Sequence, residues 1–143
     1  MIANDVIHET HPEEQGGVER RIQEIMSAAR NKDVDRLESY HLFGPKFTKF
    51  DDFEPLDRQD AETTRRLERE AITGVKEFRP NVKDLKVDVF GPVAVATFVF
   101  EYGITTDEDE TLSMRAHSTM VFAKDGSEWK IVHEHFSPFK GNP

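Results

Sequence analysis

Residues 120–139, MVFAKDGSEWKIVHEHFSPF, contain an Asp125-Gly126 pair between two runs rich in β-branched and aromatic residues. An Asp-Gly pair is typical of a β-hairpin turn, because glycine accepts the positive φ that a tight turn requires. The stretch therefore predicts a closing hairpin, whose second strand runs over residues 129–136.

The strands before this turn are predicted from their apolar residues. Residues 82–89 and 93–100 flank a Phe90-Gly91-Pro92 turn, and residues 112–123 follow an acidic loop at 105–110. The run at 93–100 is apolar on both faces, which is typical of a central strand in a sheet covered on both sides. With the last strand, these segments predict a four-stranded antiparallel meander.

The first half of the chain shows the 3.6-residue period of helices instead. Apolar residues recur at helical spacing over 18–29, Asp33 can cap a short second helix, and Asp57 or Asp60 can begin a third. A short strand is predicted at 46–51. On the third helix, the charged residues are predicted to face solvent; they are Arg65, Arg66, Glu68, Arg69 and Glu70. This order predicts an α+β domain with its helices on one face of a curved sheet.

The N-terminal end is predicted to lie outside the domain. Residues 1–16 are polar, contain Pro12 and end at Gly16-Gly17. We therefore expect an irregular N-terminal leader at 1–16 and a single domain at 17–143.

Composition excludes several classes of function. The 143 residues include no cysteine, which excludes thiol catalysis and thiolate metal sites. The net charge of -9 argues against a nucleic-acid partner, because such proteins concentrate Lys and Arg on one face. No run approaches the roughly 18 apolar residues of a membrane span. We therefore expect no membrane partner and a cytoplasmic location.

The closing hairpin resembles that of the SnoaL-like branch of the nuclear transport factor 2-like superfamily, in which Trp-x-Ile-Val-His-x-His-x-Ser follows an Asp-Gly turn. The match is specific from Asp125 to Ser137, and element order extends it over about residues 17–139. The resemblance implies a cone-shaped, curved antiparallel or mixed β-sheet wrapped around two to three N-terminal helices. It also implies a cavity inside the cone and a homodimer formed through the outer sheet face.

The resemblance leaves two functions open, because the superfamily includes ketosteroid isomerases, polyketide cyclases and dehydratases as well as a kinase association domain. The first is binding of a small apolar or carbonyl or carboxylate ligand, with metal-free acid–base catalysis of the isomerase, cyclase or lyase type. We expect no cofactor in that case. The second is a non-catalytic, dimeric assembly or ligand-sensing module.

Two histidines of the last strand are candidate site residues. Strict alternation places Trp129, Ile131, His133 and His135 on one face of that strand. His133 is then a candidate catalytic residue and His135 a candidate ligand-binding residue. The alternative is a pair of hydrogen-bonded histidines at a dimer face. No metal is expected there, because no glutamate follows them.

Arg115 and His117 share a face of the preceding strand. If this face lines the cavity, Arg115 can bind a carboxylate or carbonyl oxygen and His117 can act as a base. The alternative is a solvent-exposed face with an ion pair to Glu101 or Glu134. Outward-pointing side chains would exclude the site assignment, and a β-bulge would invert the alternation beyond it.

Asp51 and Asp52 follow the first strand, where the resemblance implies an acidic catalytic residue, and Asp51 is the candidate. At the mouth of an apolar cavity it can act as a general base, since burial raises the pKa of a carboxyl. The alternative is a solvated turn carboxylate. Tyr102 is a candidate hydrogen-bond donor to a ligand oxygen, as in family members with tyrosine donors. Phe50 and Phe98 can line the pocket or pack in the core.

Overall fold

The computed structural model describes residues 5–139, which form three helices and one five-stranded sheet. The helices are α1 (Pro12–Arg30), α2 (Val34–Ser39) and α3 (Ala61–Thr73), and the strands are β1 (Thr48–Phe50), β2 (Glu77–Phe90), β3 (Val93–Thr105), β4 (Thr111–Asp125) and β5 (Glu128–Pro138). The sheet order is β1-β5-β4-β3-β2. Only the β1–β5 pair is parallel among these strands. The predicted α+β class and the antiparallel meander are confirmed.

Helix α1 begins earlier than the sequence predicts. Its first residue is Pro12, which suits this position because a proline has no N–H group to leave unpaired. Gly16 and Gly17 lie inside the helix, and the indole of Trp129 lies 3.5 Å from where a Cβ of Gly17 would be. The prediction of an irregular leader is therefore wrong for residues 12–16. Residues 5–11 contain a turn, and residues 1–4 lie outside the described range.

The two shorter helices begin at the predicted caps. The Asp33 carboxylate accepts a hydrogen bond from the Arg36 N–H at 3.3 Å, and the Asp60 carboxylate accepts one from the Thr63 N–H at 2.8 Å. Each satisfies a backbone donor that the first turn leaves free. Gly74 ends α3, as predicted. No helix in residues 5–139 combines the length and the apolar character needed to span a membrane.

A β-bulge in β5 decides which residues face the helices. Val121 of β4 pairs with His133, but the next residue, Phe122, pairs with Ile131, so Val132 is an additional residue on β5. Side chains alternate on a regular strand, and one additional residue reverses that alternation.

The bulge corrects the predicted face of the two histidines. Trp129 and Ile131, before the bulge, are buried on the inner side, and Glu134, beyond it, is 3% exposed on that same side. His133 and His135 therefore face outward. The prediction that they share a face with Trp129 and Ile131 is wrong.

Strand β4 keeps a regular alternation over residues 115–122. Ala116, Ser118, Met120 and Phe122 are buried on the inner face. Arg115 and His117 occupy the outer face, away from the helices. The predicted division of β4 into two faces is correct, and its apolar half is the one that packs on the core.

Candidate functional site

A cavity of about 420 Å³ lies between the helices and the inner face of the sheet. Apolar side chains from α1, α3, β3, β4 and β5 form most of its wall, among them Ile25, Leu67, Phe100, Met120 and Phe136. The polar and ionisable side chains that reach it are His41, Lys49, Asp51, Asp52, Glu68, Tyr102 and Glu134. Apolar cavities with a few converging polar groups are typical binding sites for small molecules.

His41 is held at the cavity by the backbone around it. The chain leaving α2 pairs with β5 through the Leu42 N–H donating to the Ile131 carbonyl at 2.8 Å. The His41 ring stacks on Phe43 with 4.7 Å between centroids. Its Nδ1 lies 2.9 Å from the Leu37 carbonyl oxygen, so Nδ1 carries a proton and donates. Nε2 is thereby directed toward two carboxylates.

These carboxylates belong to Glu134 and Glu68. His41 Nε2 contacts Glu134 Oε1 directly and lies 3.7 Å from Glu68 Oε2. Burial disfavours the imidazolium charge, but Glu68 and Glu134 outweigh burial and raise the pKa of His41 to about 9. Burial opposes ionisation of Glu134 as well, yet Lys49 and His41 lower the pKa of Glu134 to about 2. The cluster therefore holds an ionised histidine–glutamate pair.

Glu68 differs from Glu134 although both contact the same ring. Burial raises the pKa of Glu68, and the neighbouring negative charge of Glu134 adds to that effect, while His41 opposes it. Within the described residues, Glu68 Oε1 is buried and has no hydrogen-bond partner. Glu68 Oε1 can therefore still accept a hydrogen bond or a proton.

Lys49 connects this cluster to a second pair of carboxylates. It lies in β1 between two outward-facing residues, and its Nζ is 3.8 Å from Glu134 Oε2 and 3.7 Å from Asp51 Oδ2. Burial opposes its charge, but the surrounding carboxylates raise the pKa of Lys49 above its usual value. Lys49 is therefore a fixed cation beside the cavity.

Asp52 and Tyr102 form the second part of the polar wall. The Tyr102 hydroxyl donates to Asp52 Oδ2 at 3.3 Å, and the Asp52 N–H donates to Asp51 Oδ1 at 3.1 Å. Burial and the adjacent Asp51 raise the pKa of Asp52. Burial and Asp52 raise the pKa of Tyr102, so the phenol stays protonated and can donate. A base and a donor therefore stand side by side.

The structure brings two of the predicted site residues, Asp51 and Tyr102, to the cavity. It places Arg115 and His117 on the outer face, where Arg115 lies 3.9 Å from Glu101 and 4.0 Å from the Phe139 ring. That ion pair to Glu101 is the alternative that the sequence offered. The cavity-facing assignment of Arg115 and His117 is wrong.

The other predicted residues also lie away from the cavity. His133 Nδ1 is 2.8 Å from Thr48 Oγ1, and the His135 ring is 5.6 Å from Phe50, both on the outer face. Burial lowers the pKa of His133, which favours its neutral form. Phe98 is 4% exposed and packs edge-on against Phe100 in the core.

Four of the ionisable residues that reach the cavity were not predicted as site residues from the sequence: His41, Lys49, Glu68 and Glu134. The spacing of α3 did contain a signal for one of them. Thr64, Leu67, Ala71 and Ile72 define a helix stripe, and Glu68 falls within it at four residues from Thr64 and Ile72. The prediction that Glu68 faces solvent rested on its charge alone. That prediction is wrong, because Glu68 lines the cavity.

Comparisons with known proteins agree with this architecture. Residues 18–140 match the model of the SnoaL-like domain family. A proposed dehydratase of the NTF2-like family from Streptomyces avermitilis has 17% identity and a TM-score of 0.81, covering 92% of this chain and 100% of that one. A search of the curated proteins finds no match.

Two other similar structures carry different names. A proposed calcium/calmodulin-dependent protein kinase II association domain from Xanthomonas campestris is 15% identical, with a TM-score of 0.75 and 87% of each chain covered. A proposed scytalone dehydratase from Novosphingobium aromaticivorans is 9% identical, with a TM-score of 0.77, covering 91% of this chain and 95% of that one. At these identities the structures establish the fold alone. The match of residues 18–140 to the family model shows that this chain belongs to the SnoaL-like domain family.

Proposed function

We propose that the cavity binds a small, neutral, apolar carbonyl compound and promotes proton transfer on it, in a reaction of the isomerase, cyclase or dehydratase type. The observation that carries this proposal is the Asp52–Tyr102 pair on the wall of an otherwise apolar cavity. Two of the similar structures bear dehydratase names, which supports the same class of chemistry.

The charge of the polar wall favours a neutral ligand over a carboxylate. Four carboxyl groups and two cations reach the cavity, and both cations already lie beside carboxylates. An anionic ligand would lose its hydration and meet further negative charge. Arg115, the residue expected to bind a carboxylate, lies on the outer face. The donor in the cavity is the Tyr102 hydroxyl, which suits a carbonyl oxygen.

The proposed reaction uses groups already in contact. A carbonyl oxygen entering beside Tyr102 takes over the phenolic hydrogen bond, which releases Asp52 Oδ2. The freed carboxylate accepts the proton on the carbon next to the carbonyl. The electron pair of that C–H bond forms a C=C bond, and the π pair of the carbonyl moves to its oxygen. Tyr102 and the Lys49 charge stabilise the resulting enolate. Asp52 replaces Asp51 as the proposed base, since Asp51 lies beside Lys49.

The alternative function of an assembly module predicts a filled cavity with its polar residues paired with one another. The second feature is partly present, in the His41–Glu134 pair. The open volume of about 420 Å³ supports the ligand-binding proposal instead.

The test is proton exchange on an enolisable ketone. We would incubate the protein with 2-tetralone in D₂O and follow loss of the α-proton signals by NMR. Wild type should exceed the buffer rate, and Asp52→Asn should reduce the protein-dependent rate by about 100-fold or more. Asp107→Asn, at an exposed position of the acidic loop, is the matched control and should behave as wild type. Binding without exchange, or equal rates in wild type and Asp52→Asn, would refute the assignment.

A further inference from the structure

Three potential metal ligands from separate elements meet at the cavity. His41 follows α2, Glu68 lies in α3 and Glu134 lies in β5 beyond the bulge. One ligand atom from each lies within 4.8 Å of the other two. The proposed proton transfer by Asp52 and Tyr102 does not use any of them.

His41 has the orientation that metal-binding histidines adopt. In such sites the ring nitrogen that does not bind metal usually donates to a carbonyl or carboxylate, which fixes the ring. His41 Nδ1 donates to the Leu37 carbonyl at 2.9 Å, and the ring stacks on Phe43. Nε2 is thus held toward Glu68 and Glu134 before any ion binds.

The spacing of the ligand atoms also suits a small divalent ion. Zinc binds histidine nitrogen and carboxylate oxygen at about 2.0–2.2 Å, so neighbouring ligands of a tetrahedral site lie about 3.4 Å apart. The distance from His41 Nε2 to Glu68 Oε2 is 3.7 Å. Glu134 Oε1 now contacts Nε2 directly, and an ion between them would replace that contact.

The surroundings contain an unused acceptor and an excess of negative charge. Glu68 Oε1 is buried without a partner in the described part of the chain, which is unusual for a carboxylate oxygen. Four carboxyl groups share two cationic side chains at this wall. A divalent cation would give the Glu68 oxygen a partner and would offset the excess of negative charge.

Lys49 is compatible with an ion at this position. Its Nζ lies beside Glu134 Oε2, which is the oxygen directed away from His41. Contacts of this kind orient the carboxylates that bind metal ions. Oε1 stays available for the ion.

We propose that His41, Glu68 and Glu134 bind one divalent transition-metal ion of the zinc type, with its fourth position open toward the cavity. This donor set of one imidazole and two carboxylates matches three-ligand zinc sites that keep a position for water or substrate. The proposal stands independently of the proton-transfer function. It departs from the metal-free site that the sequence led us to expect.

Calorimetric titration of the chelator-stripped 143-residue chain with zinc chloride tests this site. We expect one ion per chain in the wild type. Glu68→Gln removes a charged ligand at a partly exposed side chain and should weaken binding by about tenfold or more. Glu110→Gln, in the exposed acidic loop, controls for loss of a charge and should bind as wild type does.

The outer-face histidines require their own control. His133 and His135 lie close together on the outer face of the sheet, where an added ion could reach them. The double variant His133→Ala/His135→Ala should retain the zinc ion, and circular dichroism of each variant verifies its folding. Absence of zinc binding in wild type, unchanged binding in Glu68→Gln, or loss of binding in the double variant would each overturn the proposal.

Proton release gives a second readout that does not depend on a variant. An ion on Nε2 must displace the His41 proton, which Glu68 from α3 and Glu134 from β5 now stabilise, with Lys49 of β1 nearby. At pH 7, titrations in buffers of different ionisation enthalpy should show release of about one proton or more per zinc ion. Binding without proton release would place the ion elsewhere and contradict the proposal.

Discussion

The side chains of His41 and His133 lie on opposite sides of the same sheet and differ in how strongly each ring holds a proton. On the inner face, Glu68 and Glu134 outweigh burial and raise the pKa of His41 to about 9. On the outer face, burial lowers the pKa of His133, whose hydrogen-bond partner is the uncharged Thr48 hydroxyl. Burial alone disfavours a charged imidazole in both cases. The neighbouring carboxylates, and not the residue type, account for the difference between the two pKa values.

The largest expected effect comes from removing the Glu134 carboxylate on the inner face. Glu134→Gln keeps the side-chain volume but leaves the buried charges of His41 and Lys49 without their shared partner. We expect a loss of about 3 kcal/mol in the free energy of unfolding, measured with urea at pH 7 in EDTA.

The matched outer-face change is His133→Ala. We expect this variant to lose about 1 kcal/mol or less, because it removes a single partly buried hydrogen bond. Equal losses in His133→Ala and Glu134→Gln would show that the two faces do not differ as described.

The raised pKa of His41 should make the free energy of unfolding depend on pH. The pKa of His41 is about 9 in the fold and 6.5 as its ordinary value, so the folded state binds the proton more tightly. This contribution is fully present below about pH 6.5 and is lost as pH rises to about 9. It amounts to up to about 3 kcal/mol. Urea unfolding of wild type at pH 6 and pH 9.5 measures it.

The control for that pH effect is His41→Gln. Without the imidazole, the His41 contribution to the difference between pH 6 and pH 9.5 should disappear, while His133→Ala should keep it. A wild-type stability that stays constant over this range would contradict the charged His41–Glu134 pair.

The smallest expected effect concerns the outer face alone. Thr48→Val removes the hydroxyl that contacts His133 Nδ1 but keeps a β-branched side chain for the strand. We expect a change of about 1 kcal/mol or less in the free energy of unfolding and no change in the pKa of His41. Urea unfolding checks the first expectation, and NMR titration of the His41 ring signals checks the second.

Local patterns were sufficient for most of the fold. The caps at Asp33 and Asp60, the stop at Gly74 and the Asp125-Gly126 turn are encoded by neighbouring residues, and each lies where the sequence predicts it. The start of α1 was missed because Gly16-Gly17 resembles a break in isolation. Gly17 packs against Trp129, more than a hundred residues away, and neighbouring residues do not indicate this contact.

The site was less predictable, because it depends on pairing between distant segments. The bulge at Val132 reverses the alternation that had directed His133 inward and Glu134 outward. Lys49 is buried beside Glu134 and Asp51, which balance its charge, and no recognisable sequence pattern links these three residues. Asp51 and Tyr102 were found because family resemblance, and not spacing, indicated their positions.

The central claim is that ligands bind on the inner face of the sheet. Isotope-filtered NOE spectra of the labelled protein with 2-tetralone test it most directly. We predict contacts from the ketone to the Tyr102 and Phe136 rings and to the Met120 methyl group, all of which line the cavity. Contacts to the His117 and His135 rings instead would place the ligand on the outer face and contradict the account.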